Sequence, residues 1–156
     1  MYKRQVVAAG LKEGPVIASR GVRLLPDMTL DEALSQEFDM VALPGGLPGS
    51  DHLAADPRVT DLLRQMNESG RFVGAVCAAP KVLARNGILN DRKATAFPGV
   101  LQAEGHPEIT GDPVTRDGQV ITSRSAGTSM DFALEIIETL EGREVRESVE
   151  NSLVRS

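Results

Sequence analysis

The segment Arg71-Phe72-Val73-Gly74-Ala75-Val76-Cys77 is apolar beyond its first residue and runs at once into Ala78-Ala79-Pro80-Lys81-Val82-Leu83-Ala84-Arg85. This is the pattern of a buried strand breaking directly into a helix, the repeating unit of a parallel sheet covered by helices. The chain's single cysteine stands at the junction. A helix start presents unpaired N–H groups and the positive end of the helix dipole, which favours a thiolate over a thiol. An isolated cysteine is ordinarily a small buried hydrophobe. The turn shifts the reading of Cys77 toward a nucleophile.

Alternation of strands and helices extends along the rest of the chain. Gln5 to Ala9 reads as a short strand ended by Gly10, Val16 to Ala18 and Val22 to Leu25 as a small extension, and Asp39 to Leu43 as a strand stopped by Pro44-Gly45-Gly46. Thr29 and Glu32 form a capping box ahead of a brief helix. Asp56 and Pro57 open a stronger one, with Val59, Leu62, Leu63 and Met66 on one face and Gly70 at its end. The Pro80 helix closes near Gly87, and Lys93 to Phe97 and Gln119 to Thr122 read as strands separated by a polar, Gly/Pro-punctuated stretch. A last long helix starts near Thr128, with Asp131 three residues on, and is expected to bury Phe132, Ala133, Ile136, Ile137 and Leu140 before Gly142. The order implies one α/β domain over residues 1–156, a sandwich around a mostly parallel sheet whose ligands sit beyond the carboxyl ends of the strands. Gly46 and Cys77 both fall at such ends.

At 156 residues the chain suits one core that buries about two-thirds of the unfolded surface. A net charge of −5, scattered Lys and Arg, 3% aromatic residues and no Trp argue against nucleic acid as a partner. No signal-peptide pattern or membrane-spanning apolar stretch is evident, and one cysteine suits a reducing compartment, so a cytoplasmic protein without a membrane partner is expected. Two histidines and one cysteine do not form a cluster with metal-ligand spacing, so no metal is expected.

Three segments carry a family resemblance: Val41-Ala42-Leu43-Pro44-Gly45-Gly46, Ala75-Val76-Cys77-Ala78-Ala79-Pro80, and Ile121-Thr122-Ser123-Arg124-Ser125-Ala126-Gly127-Thr128-Ser129. With their order and spacing, the chain resembles the ThiJ/PfpI family, in the branch of the Parkinson's-disease-associated protein deglycase. The resemblance implies a flavodoxin-like three-layer sandwich, a homodimer, a strained nucleophile elbow at the cysteine, and glyoxalase or deglycase chemistry without a cofactor on small dicarbonyls such as methylglyoxal, or on glycated adducts. A thiolate adding to an aldehyde develops negative charge on oxygen. The backbone N–H groups of Gly46 and Ala78 are the natural oxyanion pair, with Gly45 supporting the close approach; an isolated Gly-Gly pair is equally a turn needing positive φ. His106 falls in the loop where this branch places a histidine near the cysteine, and is the candidate proton carrier against the alternative of a solvated loop histidine. His52 reads as a surface or packing residue.

Family members also carry a strand and helix ahead of the counterpart of Gln5 to Gly10, with a glutamate that hydrogen-bonds the cysteine. The resemblance therefore implies that this sequence lacks an interior strand and the general acid, with an arbitrary-looking start at Met1-Tyr2-Lys3-Arg4-Gln5 and weakened stability, dimerisation and activity. Glu13 follows the wrong strand to serve in its place. Glutamine amidotransferase chemistry is disfavoured because His106-Pro107-Glu108 lies too far ahead of the final helix, and peptidase chemistry because Ala78, not histidine, follows the cysteine. A reading of another class is a non-catalytic oxidation sensor or redox-regulated chaperone, in which Cys77 passes to sulfenate and sulfinate with no second cysteine to resolve it.

Overall fold

The structure is a computed structural model that describes residues 6–155. Met1 to Gln5, the start singled out above, lie outside the described residues, as does the first residue of the strand expected at Gln5 to Ala9. The chain divides into two compact units, Met1–Phe38 and Asp39–Ser156, where the sequence reading has one domain.

In the first unit β1 (Ala9–Gly10) and β4 (Met28–Thr29) pair in parallel, while β2 (Val16–Ile17) and β3 (Arg23–Leu24) form an antiparallel hairpin. The Thr29 box is formed: its Oγ1 accepts from the Glu32 N–H, and its own N–H donates to the Glu32 carboxylate at 2.7 Å, opening α1 (Leu30–Ala33). The bond from the Thr29 N–H, and after it one from the Thr29 hydroxyl to the same carboxylate at 2.8 Å, hold the Glu32 carboxyl below the usual carboxylate range.

The second unit is built on a four-stranded sheet. Its strands are β5 (Met40–Leu43), β6 (Phe72–Val76), β7 (Val114–Asp117) and β8 (Val120–Ser123), in the order β5-β6-β8-β7. The first three in that order run parallel and β7 antiparallel to β8, so the mostly parallel sheet of a flavodoxin-like α/β fold is present. The helices are α2 (Gly49–Ala55), α3 (Pro57–Glu68), α4 (Pro80–Arg85), α5 (Val100–Ala103), α6 (Ser129–Glu141) and α7 (Arg143–Ser152). Asp56 caps α3 by accepting from the Arg58 N–H at 3.0 Å, and α3 packs Val59, Leu63 and Met66 inward on β5 and β6. It ends where Gly70 turns at φ +71° and the Arg71 N–H reaches back to the Met66 carbonyl.

β6 is the core strand. Val73 and Ala75 are wholly buried, and Gly74 lies close against two side chains, where a Cβ would stand 2.6 Å from Met40 Cε, the far end of a flexible side chain, and 3.0 Å from the Phe132 ring. Phe132 and Leu134 are the buried residues of α6; Ala133, expected inside, is exposed, and Ile136, Ile137 and Leu140 are half-buried. The Thr128–Asp131 box does not form, because Thr128 Oγ1 bonds Ser123 Oγ and the Ser125 backbone instead.

Two further corrections concern strands. Lys93 to Phe97 contributes only an isolated parallel bridge, Ala94 to Ile109, because the Thr95 N–H goes to the Thr122 hydroxyl rather than to a ladder. The polar stretch before Gln119 contains β7, turned onto β8 through Gly118 at φ +60° and Gln119.

Candidate active site at the cysteine elbow

Parallel register brings three strand ends level: Leu43 stands opposite Ala75, and Val76 opposite Ser123. The Pro44-Gly45-Gly46 loop, Cys77, and the Ser123 to Thr128 segment therefore leave the sheet on one edge, the carboxyl-end crevice where open α/β sheets place ligands.

Cys77 is a free, half-buried thiol in the left-handed region, at φ +64°. For a residue with a Cβ this conformation costs about 1–3 kcal/mol and persists only when its surroundings over-determine it. The surroundings are identifiable. The Cys77 N–H donates to the Ser123 carbonyl at 2.9 Å, its own carbonyl accepts from the Phe97 N–H at 2.9 Å, and the Ala79 N–H closes the turn on the Val76 carbonyl at 3.1 Å. Ser123 is in turn held by its hydroxyl, bonded to Thr128 Oγ1 at 2.8 Å and to the Pro113 carbonyl at 3.1 Å. The helix begins at Pro80, not at Ala78, so a turn of backbone separates the sulfur from the helix start.

Gly45 packs directly on the elbow: a Cβ there would lie 2.7 Å from Cys77 Cβ and 2.8 Å from the Val76 carbonyl. Gly46 follows at φ +94°, and its carbonyl accepts from both the N–H and the hydroxyl of fully buried Ser50 at 2.9 Å each. The N–H groups of Gly46 and Ala78 make no hydrogen bond among the described residues. The loop glycines thus meet both demands weighed in the sequence, positive φ at Gly46 and close approach at Gly45.

Charges on the elbow helix are paired. Lys81 Nζ, on a mostly buried side chain, bonds Asp51 of α2 at 2.5 Å, and the Arg85 guanidinium grips Glu104 after α5 with three contacts of 2.7–3.0 Å. The Lys81 hydrogen bond holds the Asp51 carboxyl below its ordinary range, and the Arg85 hydrogen bonds do the same for Glu104 while raising the guanidinium. These pairs join α2 and the segment after α5 to the helix that follows the thiol.

His106 is half-buried, with its N–H bonded to the Leu101 carbonyl and its Nε2 buried without a hydrogen-bond partner. No hydrogen bond among the described residues links it to Cys77. The Cys77 carbonyl is bonded by the N–H of Phe97, which the sequence pattern puts at a strand end without a role. Ser123 likewise appears in the sequence only as part of a motif. Neither stood out, because both act through backbone groups. His52 is exposed in α2, and Glu13 is exposed in the first unit. No group of three or more His, Cys, Asp or Glu among the described residues is arranged to hold a metal ion, and no described helix is long and apolar enough to cross a membrane.

The description "DJ-1/PfpI family" belongs to the family model that matches residues 3–139. Protein dj-1beta of Drosophila melanogaster is 39% identical over 153 residues, covering 96% of this chain and 82% of that protein. A Caenorhabditis elegans protein named glutathione-independent glyoxalase DJR-1.2 is 38% identical over 93% of this chain and 78% of its own length. Among solved structures, the crystal structure of Drosophila DJ-1beta superposes with a TM-score of 0.87 at 38% identity, over 92% of this chain and 78% of that one. Oxidized Toxoplasma gondii DJ-1 gives 0.89 at 28% identity, over 97% and 84%. With a family model spanning most of its length and relatives of this similarity, the chain belongs to the DJ-1/PfpI family.

Proposed function

We propose that the protein is a cofactor-independent glyoxalase or deglycase acting on α-oxoaldehydes of the methylglyoxal type, or on their adducts, with Cys77 as nucleophile. The observation that carries this reading is the elbow itself: a thiol held at φ +64° against Gly45, beside the unengaged N–H groups of Gly46 and Ala78. A relative named as a glutathione-independent glyoxalase supports the same chemistry.

The Cys77 thiolate adds to the aldehyde carbon, forming a C–S bond and an alkoxide that accepts hydrogen bonds from Gly46 and Ala78 before protonation to a hemithioacetal. A proton then leaves the former aldehyde carbon and one is delivered to the neighbouring ketone carbon through an enediol. The first carbon is oxidised to a thioester as the second is reduced to an alcohol. Water cleaves the thioester, releasing the hydroxy acid and restoring the thiol, with no external oxidant or reductant. His106, with its unpartnered Nε2, is the candidate proton carrier. We further assign the protein to the cytoplasm as a symmetric homodimer, with neither nucleic acid nor membrane as partner.

Conversion of methylglyoxal to lactate, lost in Cys77→Ala, tests the reading. A second reading, an oxidation sensor or redox-regulated chaperone, is favoured by the half-buried thiol with no other cysteine to resolve it. Peroxide-dependent, stoichiometric modification without any turnover distinguishes it.

A further inference from the structure

We propose that Phe97, together with Leu47 of the Gly-Gly loop, is a specificity-determining residue that makes the cysteine site select uncharged aldehydes bearing an apolar or aromatic substituent. The inference deepens the thiol–aldehyde reading and rests on it for the identity of the substrate.

Phe97 is fixed on both sides. Its N–H donates to the Cys77 carbonyl at 2.9 Å and its carbonyl accepts from the Val100 N–H at 3.0 Å, so the backbone that bears the ring is tied to the elbow. The residues leading to it are core: Ala94 and Thr95 are fully buried and Ala96 is 7% exposed. Burial stops at the residue bonded to the cysteine, since Phe97 is 50% exposed. The other loop of the site repeats the pattern, since Leu47, directly after Gly46, is 56% exposed.

Single exposed apolar side chains are ordinary on a protein surface. Here two of them stand one residue or one hydrogen bond from the groups assigned to bind the reacting carbonyl. The cations of the elbow helix, meanwhile, are already committed, Lys81 to Asp51 and Arg85 to Glu104. An anionic or cationic substituent gains nothing from those pairs, whereas an apolar one removes phenyl and leucyl surface from water as it enters.

The test has two arms. In the first, kcat/KM is measured for glyoxal, methylglyoxal and phenylglyoxal with the wild type, Phe97→Ala and Phe97→Leu. The second needs no turnover: the rates at which N-methylmaleimide and N-phenylmaleimide cap Cys77 are followed by intact mass and normalised to the same pair of rates for glutathione. A phenyl-over-methyl preference of about tenfold beyond that of glutathione is expected in the wild type, within the range a few methylenes provide in an apolar pocket. It should fall to the glutathione value in Phe97→Ala and lie between in Phe97→Leu. A wild-type ratio equal to that of glutathione, or a ratio unchanged in either variant, overturns the inference. Because the wild-type ratio and the conservative leucine variant each decide the matter, an alanine variant that failed to fold would not rescue it. Preference among maleimides with no turnover of any aldehyde would retain Phe97 as a selector and remove the glyoxalase reading instead.

Discussion

Gly45 and Cys77 are in such close contact that the missing side chain of one makes room for the side chain of the other: a Cβ on Gly45 would sit 2.7 Å from Cys77 Cβ. The same added atom would meet the Val76 carbonyl at 2.8 Å, and backbone cannot swing aside as a flexible side chain can. Gly45→Ala is therefore expected to destabilise by about 1–3 kcal/mol through overpacking and to displace the loop that presents the Gly46 N–H. Urea denaturation reads the first effect, and a fall in the iodoacetamide capture rate or kcat of the folded variant reads the second. A variant matching the wild type in all three would mean that the loop is free to shift without cost.

Cys77 should be the most readily oxidised residue of the chain. Graded peroxide followed by peptide mass spectrometry is expected to place a two-oxygen addition on it, with sulfenate as the intermediate. A thiol inert to peroxide and iodoacetamide in folded protein would return Cys77 to the class of packing residues.

His106→Gln separates the candidate proton carrier from a loop histidine. General acid–base assistance is typically worth about 10²–10⁴-fold, so a kcat loss of about a hundredfold or more with Cys77 alkylation unchanged is expected. A loss of only a few-fold would transfer proton movement to another group.

The two ion pairs of the elbow helix give the acid limb of stability a definite sign. Asp51 and Glu104 have carboxyls whose folded-state ionisation lies below the unfolded values of about 3.9 and 4.3. Their contribution is complete above the unfolded values and is lost as pH falls through the lower folded ones. Thermal unfolding should therefore lose stability as pH drops from about 5 toward 2 to 3, and the Asp51→Asn/Glu104→Gln double variant should lose less over that interval while starting lower. Parallel pH profiles for the two proteins would show that neither pair contributes.

Sedimentation velocity tests the proposed homodimer. A concentration-dependent shift to twice the monomer mass is expected, and a monomer throughout the micromolar range would remove it.

Much of this molecule is legible in local chemistry. Asp56 and Pro57 announce α3, Gly70 ends it, and the Thr29–Glu32 box forms as written, because each is decided within one helical turn. The unbroken apolar run at β6 marks the central strand because burial on both faces leaves no polar alternation. The cysteine and the Gly-Gly loop are legible for a related reason, since strand ends in a parallel sheet share one edge.

Where the sequence misleads, a hydrogen-bond partner that spacing alone does not reveal has taken a local group. Thr128 does not cap α6 because Ser123, across the elbow, offers its hydroxyl a buried bond, and Lys93 to Phe97 does not become a ladder strand because Thr122 takes the Thr95 N–H. Likewise the strain at Cys77 and the placement of Phe97 rest on backbone bonds between residues 20 or more positions apart, invisible to periodicity or spacing. The sequence by itself determined the central strands β5, β6 and β8 and the helices α3, α4 and α6, and that a thiol stands close to where strand gives way to helix. Only the tertiary structure decided which N–H groups of the two loops remain without a partner and which residue bonds the Cys77 carbonyl, because hydrogen-bond partners in a packed fold are allotted by proximity in space, and proximity exists only once the sheet has formed.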